Sequence, residues 1–291
     1  MKYILLAITL MASLVGGITR KHTISKLQNK NVMYHVFNFV ISFVTAILLI
    51  LMSGDLNASP FTWVLGIVFG VTTAIQTVYY LKAFDIGPFS YTMVIASLST
   101  IIPALSGFLF FNETISFVQI IGMFLMVICF IFSVDFKAND KKASFKWLFY
   151  TVVVFIMQGA IGVMQKWHQN TAFKGELDAF LVIAFFASAL FSIICLLFVR
   201  EDKKTVIKTE ATKKIVLLMV LAGLCSAPNN KINLYLSGVM ESFIFFPVVN
   251  GGGLVLSMIA SLVVFREKFN LQKTMGLIIG IVSVILLCNP F

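Results

Sequence analysis

The sequence contains few charged residues and little proline for its length. Of its 291 residues, 12% are charged and six are Pro, whereas about a quarter of the residues in ordinary soluble domains are charged. Apolar residues make up 59% of the chain, which includes 30 Phe, and the mean hydropathy is +0.99. This composition excludes a soluble globular domain, a disordered chain, collagen and a coiled coil, and it is typical of an integral membrane protein.

The sequence also lacks motifs for catalysis, metal binding and redox chemistry. The four cysteines lie far apart inside apolar runs, without a C-x-x-C pair, and we interpret them as small core residues. No H-E-x-x-H, G-x-S-x-G or phosphate-loop sequence is present. We therefore expect no enzyme activity, no cofactor and no metal site. The net charge of +10 comes from basic residues in short gaps between apolar runs, a pattern that indicates membrane topology and not nucleic-acid binding.

Ten apolar runs are close to the length of about 20 residues that a helix needs to cross a hydrocarbon core of roughly 30 Å. They are Tyr3–Thr19, Met33–Met52, Pro60–Leu81, Gly87–Phe110, Ile115–Val134, Phe145–Gln165, Ala179–Val199, Lys213–Leu236, Ser242–Val264 and Gln272–Cys288. We interpret the first run as a retained span, because no small-x-small cleavage pattern precedes Arg20. The gaps are too short for a further domain, so the sequence predicts one all-α membrane domain over residues 1–291.

Two halves of the chain, residues 1–140 and 141–291, show weak internal similarity. A shift of 154 residues aligns Phe111–Thr114 with Phe265–Lys268, and Gly122 with Gly276. Each half holds five predicted spans, and because five is odd, homologous halves must cross the membrane in opposite directions. The sequence therefore predicts ten transmembrane helices arranged as a 5+5 inverted-topology repeat.

Basic residues cluster in the loops that follow odd-numbered spans. These loops and the adjoining span ends carry 18 of the 22 Lys and Arg residues, and cytoplasmic loops are enriched in both residue types. We predict that these loops are cytoplasmic, that both termini lie outside, and that the protein resides in the cell membrane.

The ends of the two halves resemble those of the drug/metabolite transporter superfamily, and most closely its EamA-type members. The matching stretches are Gly87–Ser90, Pro103 and Asn112–Ile115 in the first half, and Glu241–Phe243, Pro247, Asn250–Gly253 and Arg266–Lys268 in the second. The resemblance implies a transporter of small polar metabolites with a central cavity between the halves. The chain departs from the small multidrug-resistance relatives of this superfamily, because its first span has no acidic residue.

Polar residues beside prolines and glycines in two spans of the second half indicate a binding site. Proline removes a backbone hydrogen bond, and interrupted spans mark the substrate sites of many transporters. We therefore expect helix breaks at Pro228, Pro247 and Pro103. The candidate substrate-binding residues are Asn229, Asn230, Lys231, Asn250 and Gly251, with Gln76, Tyr79, Tyr80, Ser97 and Gln158 as further candidates.

Lys231 has two interpretations. An uncompensated ammonium in the cavity would favour a substrate with a carboxylate or phosphate group, such as an amino acid or another organic anion. Alternatively, the side chain extends to the membrane interface near the end of its span, and the cargo is neutral.

Other conspicuous residues have structural interpretations. Glu113 and Glu267 are expected to cap the helices that follow them or to hold a short turn. His22 and His168 are expected to be solvated at span ends. The pairs Gly66 with Gly70 and Gly276 with Gly280 allow close helix packing, either in a homodimer or within one chain.

The sequence thus predicts a transporter of small polar metabolites that works by alternating access. No acidic residue lies at the centre of a span, so facilitated diffusion or exchange is favoured over proton-driven transport. The alternatives are a cation or multidrug efflux transporter of the same superfamily, and a scaffold or receptor that transports nothing. The expected partners are a small-molecule substrate and the lipid bilayer.

Overall fold

A computed structural model describes residues 2–24, 30–87, 89–132, 144–263 and 271–288. Over these residues the chain is helical and forms no β-strand, as the sequence predicted. The helices are α1 (Lys2–Ile24), α2 (Lys30–Met52), α3 (Pro60–Ile86), α4 (Phe89–Leu98), α5 (Ile101–Phe110), α6 (Phe117–Phe132), α7 (Phe145–Gln169), α8 (Leu177–Phe198), α9 (Lys203–Glu210), α10 (Lys213–Val239), α11 (Ser242–Val263) and α12 (Leu271–Cys288). A short 3₁₀ turn, Lys174–Glu176, precedes α8.

Seven segments of the described chain are long and apolar enough to cross a membrane. They comprise most of α2, the whole of α3, α7, α10 and α12, the 3₁₀ turn with α8, and α4 with α5 taken together. Shorter apolar helical stretches lie at Lys2–Ser13, Phe117–Phe132 and Ser242–Leu256. Large apolar side chains cover the outside of the bundle, among them Phe145 and Phe198, which are 86% and 80% exposed. These apolar helices indicate a multi-pass membrane protein, as predicted.

Each long helix packs against particular neighbouring helices. On the two flanks of the bundle, α2 packs along α8 and α6 packs along α12. Between the flanks, α1 packs along α10 and α3 along α7, while α5 contacts both α7 and α11. The helix α3 also packs on α8, α10 packs on α2, and α11 packs on α1. Three buried clusters of apolar side chains occupy the spaces between these helices.

Side-chain oxygens begin several of the helices. Ser59 accepts a hydrogen bond from the Thr62 N–H at 3.3 Å, with Pro60 at the first position of α3. Ser144 caps α7 in the same way at 3.1 Å. In the loop before α9, a hydrogen bond from the Thr205 hydroxyl and a second from its backbone N–H hold the pKa of Asp202 below its usual value. These caps supply partners for backbone N–H groups that have none within their own helix.

The fourth predicted span is interrupted between α4 and α5. Ser99 and Thr100 donate their N–H groups three residues back, to the Ala96 and Ser97 carbonyls, at 3.1 and 3.2 Å. Pro103 lies four residues after Ser99, and its ring would collide with the Ser99 carbonyl in an uninterrupted α-helix. The interruption therefore lies at the turn that this proline affects.

The helix breaks expected at Pro228 and Pro247 are absent, so this prediction was wrong. Helix α10 continues through Pro228, and α11 continues through Pro247 and the three glycines that follow Asn250. One proline removes only one backbone hydrogen bond, a loss that membrane helices tolerate. At Gly251 the missing side chain makes room for Met126 of α6 and does not open the helix.

The two glycine pairs pack helices together within the chain. Gly66 and Gly70 lie against Phe180, Ile183 and Ala184 of α8, and Gly276 and Gly280 lie against Phe132 and Cys129 of α6. A methyl group added at Gly70 would overlap the Ala184 carbonyl group. The close α3–α8 approach therefore depends on this glycine.

We expect Gly70→Ala to lower the free energy of unfolding by about 1–3 kcal/mol, because overpacking forces the two helices apart. The matched control is Gly253→Ala, where an added methyl group meets no atom within 4 Å. Thermal unfolding of the purified proteins in detergent measures the difference. Equal stability of both variants would contradict a tight α3–α8 contact at Gly70.

Candidate functional site

Amide side chains of α10 lie at the contacts between α1 and α10. Asn229 accepts a hydrogen bond from the Ser13 hydroxyl of α1 at 3.4 Å. One turn further along α10, the Asn233 side-chain oxygen is buried and has no hydrogen-bond partner among the described residues. A buried acceptor without a donor is costly in a medium without water. Asn233 is not among the candidate binding residues predicted from the sequence, although its spacing of four residues from Asn229 places both on one face of the helix.

Asn230 and Asn250 bond their own helices. The Asn230 amide nitrogen donates to the Ser226 carbonyl at 2.9 Å and to the Ser226 hydroxyl at 3.0 Å. The Asn250 amide nitrogen donates to the Phe246 carbonyl at 3.2 Å. Each amide thus pairs with a carbonyl four residues earlier, which leaves its oxygen as the group available to another partner.

A second polar group lies between α3 and α7. The Gln76 amide nitrogen donates to the Gln158 side-chain oxygen at 3.4 Å. The Tyr79 ring packs edge-on against the Tyr150 ring of α7, with 5.4 Å between the centroids. The Tyr80 hydroxyl contacts the Met93 sulfur of α4 at 2.9 Å.

The structure therefore distributes the predicted binding residues over five helices, α3, α4, α7, α10 and α11. Asn229, Asn230 and Lys231 lie on α10, whereas Gln76 and Tyr79 contact α7. Ser97 lies on α4, beside the interruption before α5, and Asn250 and Gly251 lie on α11. Among the described residues, no hydrogen bond joins the α10 set to the Gln76–Gln158 pair. The α10 residues lie on a helix that contacts both α1 and α7, and Gln76 lies on α3, which contacts α7.

Lys231 lines a cavity of about 280 Å³, and its charge is compensated. Its Nζ lies 2.8 Å from Asp178 Oδ1 and donates to the Met52 carbonyl at 3.0 Å. The remaining lining is apolar apart from a tyrosine: Leu5, Met52, Leu177, Pro228, Ile232 and Tyr235. Of the two interpretations of Lys231, the uncompensated ammonium is contradicted, because Asp178 of α8, 53 positions away in the sequence, pairs with it.

A buried ion pair that the sequence analysis missed joins Lys166 of α7 to Glu113. The two side chains are 5% and 11% exposed. The Lys166 Nζ also donates to the Met240 carbonyl at 2.9 Å, and the second Glu113 oxygen accepts from the Ser242 N–H at 2.7 Å. The pair therefore joins the α5–α6 turn, the end of α7 and the start of α11.

Glu113 caps a helix, but not the helix that follows it in sequence. Its carboxylate lies at the N-terminus of α11, where the backbone N–H groups attract negative charge. The following helix, α6, is capped instead by Ser116 and Gln119, which exchange side-chain hydrogen bonds with each other's backbone at 3.2 and 2.9 Å. Glu267 lies outside the described residues.

His168 is fully buried, so the expectation of a solvated side chain was wrong. Its ring stacks on Phe180 with 4.4 Å between the centroids, and one ring nitrogen lies 3.4 Å from the Thr62 hydroxyl. The burying residues come from α3 and α8, which only the tertiary structure brings to the end of α7. The His22 side chain lies outside the described residues.

The described residues contain no group of three or more His, Cys, Asp or Glu side chains arranged to hold a metal ion. None of the four cysteines forms a disulfide, and Cys129 of α6 is buried against Gly280 of α12.

No protein-family model and no curated protein matches the chain. Twenty-eight chains of solved structures match its fold. One of them, described only as the crystal structure of a protein, is 12% identical and superposes with a TM-score of 0.76, over 99% of this chain and 96% of the other. At this identity the similarity establishes a shared fold over nearly the whole chain and nothing about activity.

We expect Glu113→Gln to lower the free energy of unfolding by about 3–5 kcal/mol, because it leaves the Lys166 ammonium buried without its counter-ion. The double variant Glu113→Gln with Lys166→Met removes both charges and should recover much of that loss. Thermal unfolding in detergent provides the measurement. The control is Glu201→Gln, because Glu201 is exposed and its substitution should change stability by less than about 1 kcal/mol. A Glu113→Gln protein as stable as the control would contradict a structural role for the pair.

Proposed function

We propose that this protein is a transporter that moves a small polar solute across the membrane by alternating access. In this proposal ten helical spans form two halves of opposite orientation, with α4 and α5 together as the fourth span and α9 outside the count. The halves correspond to residues 1–140 and 141–291. The chain would then be a distant member of the drug/metabolite transporter superfamily, EamA type, with no catalytic activity.

The observation that carries the proposal is the pattern of helix neighbours. Exchanging the two halves replaces each span by the one five positions away, so that α1 exchanges with α7 and α3 with α10. Under this exchange, the α3–α7 contact becomes the α10–α1 contact, and the α3–α8 contact becomes the α10–α2 contact. The α5–α7 contact becomes the α11–α1 contact, while the α2–α8, α6–α12 and α5–α11 contacts map onto themselves.

Two halves related by a two-fold axis in the membrane plane would produce these matched contacts, whereas the α7–α10 and α6–α11 contacts have no counterpart of similar extent among the described residues. Such halves can exchange conformations, which opens a shared site first to one side of the membrane and then to the other. The site we propose lies on the inner helices α1, α3, α7, α10 and α11, where the amides described above occur. A scaffold or receptor requires neither the symmetry nor polar groups in this position.

The two ion pairs lie at one end of the helices. One affects how this end opens during transport, and the other affects the charge of the solute that the cavity can attract. The Glu113–Lys166 pair ties parts of both halves together, so opening at this end requires the pair to separate. Asp178 neutralises Lys231 at the cavity, so the attraction for an anion that an unpaired lysine would supply is absent. We infer a polar cargo without net charge, carried by facilitated diffusion or exchange.

Saturable flux in liposomes tests the proposal. Purified protein is reconstituted, and uptake is measured for a panel of neutral, zwitterionic, anionic and cationic metabolites. We expect saturable uptake of a neutral or zwitterionic compound. Uptake should fall about 3- to 10-fold in Asn229→Ala, which removes one hydrogen-bonding group. The matched control is Asn57→Ala, in an exposed loop. Flux indistinguishable from that of protein-free liposomes across the panel would favour a scaffold or receptor, and saturable flux of cations would favour efflux.

The charge of the cargo is tested at the cavity. We expect Asp178→Asn to raise uptake of anionic relative to neutral solutes, because it leaves Lys231 without its counter-ion. Adding Lys231→Met removes the unpaired charge and should return the ratio to the wild-type value. An unchanged ratio in both variants would show that the cavity at Lys231 is not on the transport path.

A further inference from the structure

Two lysines lie over one pair of tyrosine rings where α3 meets α7. The Lys82 Nζ is 5.4 Å from the centre of the Tyr79 ring, and the Lys146 Nζ is 5.9 Å from the centre of the Tyr150 ring. The two rings touch edge-on, with 5.4 Å between their centroids. Each ammonium group thus makes a cation–π contact with one ring of a single aromatic pair.

Among the described residues, no acidic side chain forms an ion pair that balances the positive charge of this lysine pair. Within the described part of the chain, neither lysine forms an ion pair, in contrast to Lys166 with Glu113 and Lys231 with Asp178. Lys146 lies close enough to Lys82 for the two charges to repel each other. The nearest acidic residue along α3, Asp85, lies beside Tyr34 of α2.

The two tyrosines add hydrogen-bonding capacity. Neither the Tyr79 nor the Tyr150 hydroxyl forms a hydrogen bond with another described residue. Two ammonium groups and two hydroxyls therefore belong to one aromatic pair and have no acceptor among the described residues. Lys146 is the second residue of α7, so the free N–H groups of that helix end add partial positive charge. This combination of donors suits the oxygens of a phosphate group.

The position of the pair indicates where the phosphate comes from. The neighbouring face of α7 is apolar and exposed, with Phe145, Leu148 and Phe149 facing outward. Phe149 packs directly on Tyr79, with 6.2 Å between the ring centroids. Lys82 lies four residues before the end of α3. The donors therefore lie at a helix end and border an apolar surface, where a lipid headgroup meets the acyl chains.

We infer that an anionic phospholipid binds at the α3–α7 contact, with its phosphate between Lys82 and Lys146 and an acyl chain along Leu148 and Phe149. The phosphate accepts hydrogen bonds from the two ammonium groups and the two tyrosine hydroxyls. The lipid supplies the counter-charge that the described residues do not. The lipid site takes Tyr79 from the candidate substrate-binding residues and includes neither the amides of α10 nor the Gln76–Gln158 pair, so lipid binding does not depend on whether the protein transports a solute.

Lipid binding to the full-length purified protein tests the inference. Native mass spectrometry in a neutral detergent compares phosphatidylglycerol with phosphatidylcholine of the same acyl chains. We expect the wild type to retain phosphatidylglycerol in preference to phosphatidylcholine. The double variant Lys82→Gln with Lys146→Gln should bind phosphatidylglycerol about 10- to 30-fold more weakly, because each lysine near an anionic headgroup contributes roughly tenfold or less to binding.

Two further variants control for charge and folding. Lys204→Gln with Lys208→Gln removes the same charge from exposed positions on α9 and should leave the preference intact. Lys82→Arg with Lys146→Arg keeps both charges and should bind phosphatidylglycerol within about threefold of the wild type, since each cation contributes a similar attraction near the headgroups. If the two glutamine double variants lose phosphatidylglycerol equally, or neither loses it, the α3–α7 site is refuted.

The source of the phosphate is tested with soluble compounds. Inorganic phosphate and sn-glycerol 3-phosphate carry the same chemical group without acyl chains. We expect neither to compete with phosphatidylglycerol at millimolar concentration, because the apolar face of α7 contributes to lipid binding. Displacement of the lipid by either compound would overturn the assignment to a membrane lipid in favour of a site for a free phosphate compound.

Discussion

The bilayer interior offers no water, so polar groups of this chain need partners within the protein, and its architecture follows from that requirement. Helices satisfy their own backbone groups, which is why the described residues are helical. Polar side chains inside the bundle follow the same rule. Asn38 of α2 bonds Ser188 and Ser192 of α8, and Ser283 of α12 bonds the Gly122 carbonyl of α6. The two flanking helix pairs are thus joined by hydrogen bonds as well as by apolar packing.

The lysines at the two ends of the bundle have different kinds of partners. At the end where α5, α7 and α10 finish, Lys166 and Lys231 are paired with acids, and Lys2 donates to the Val239 carbonyl at 2.8 Å. At the opposite end, Lys82 and Lys146 lie over aromatic rings without an acidic partner among the described residues. At the first end the cationic groups are held by contacts within the protein. The second end carries these two cationic groups where anionic lipid headgroups could supply the counter-charge.

This contrast connects the proposed transport cycle to the lipid site. The Glu113–Lys166 pair ties the halves at one end, and the α3–α7 contact, which also joins the halves, carries the lysine pair at the other. A two-state cycle would strain each of these contacts in turn. An ion pair within the chain would stabilise the contact between the halves at one end. A lipid from the membrane would stabilise the contact between them at the other end.

Composition and apolar run length determined that this is a helical membrane protein, because the length of an apolar run is a local property. The same sequence could not locate charge partners or buried faces. Asp178 reaches Lys231, Glu113 reaches Lys166, and Phe180 covers His168, each across tens of residues. Lipid-facing and core-facing sides of these helices are both apolar, so periodicity does not distinguish them. The continuity of α10 and α11 through their prolines was likewise decided by tertiary packing, since neighbouring helices can support a span that has lost one hydrogen bond.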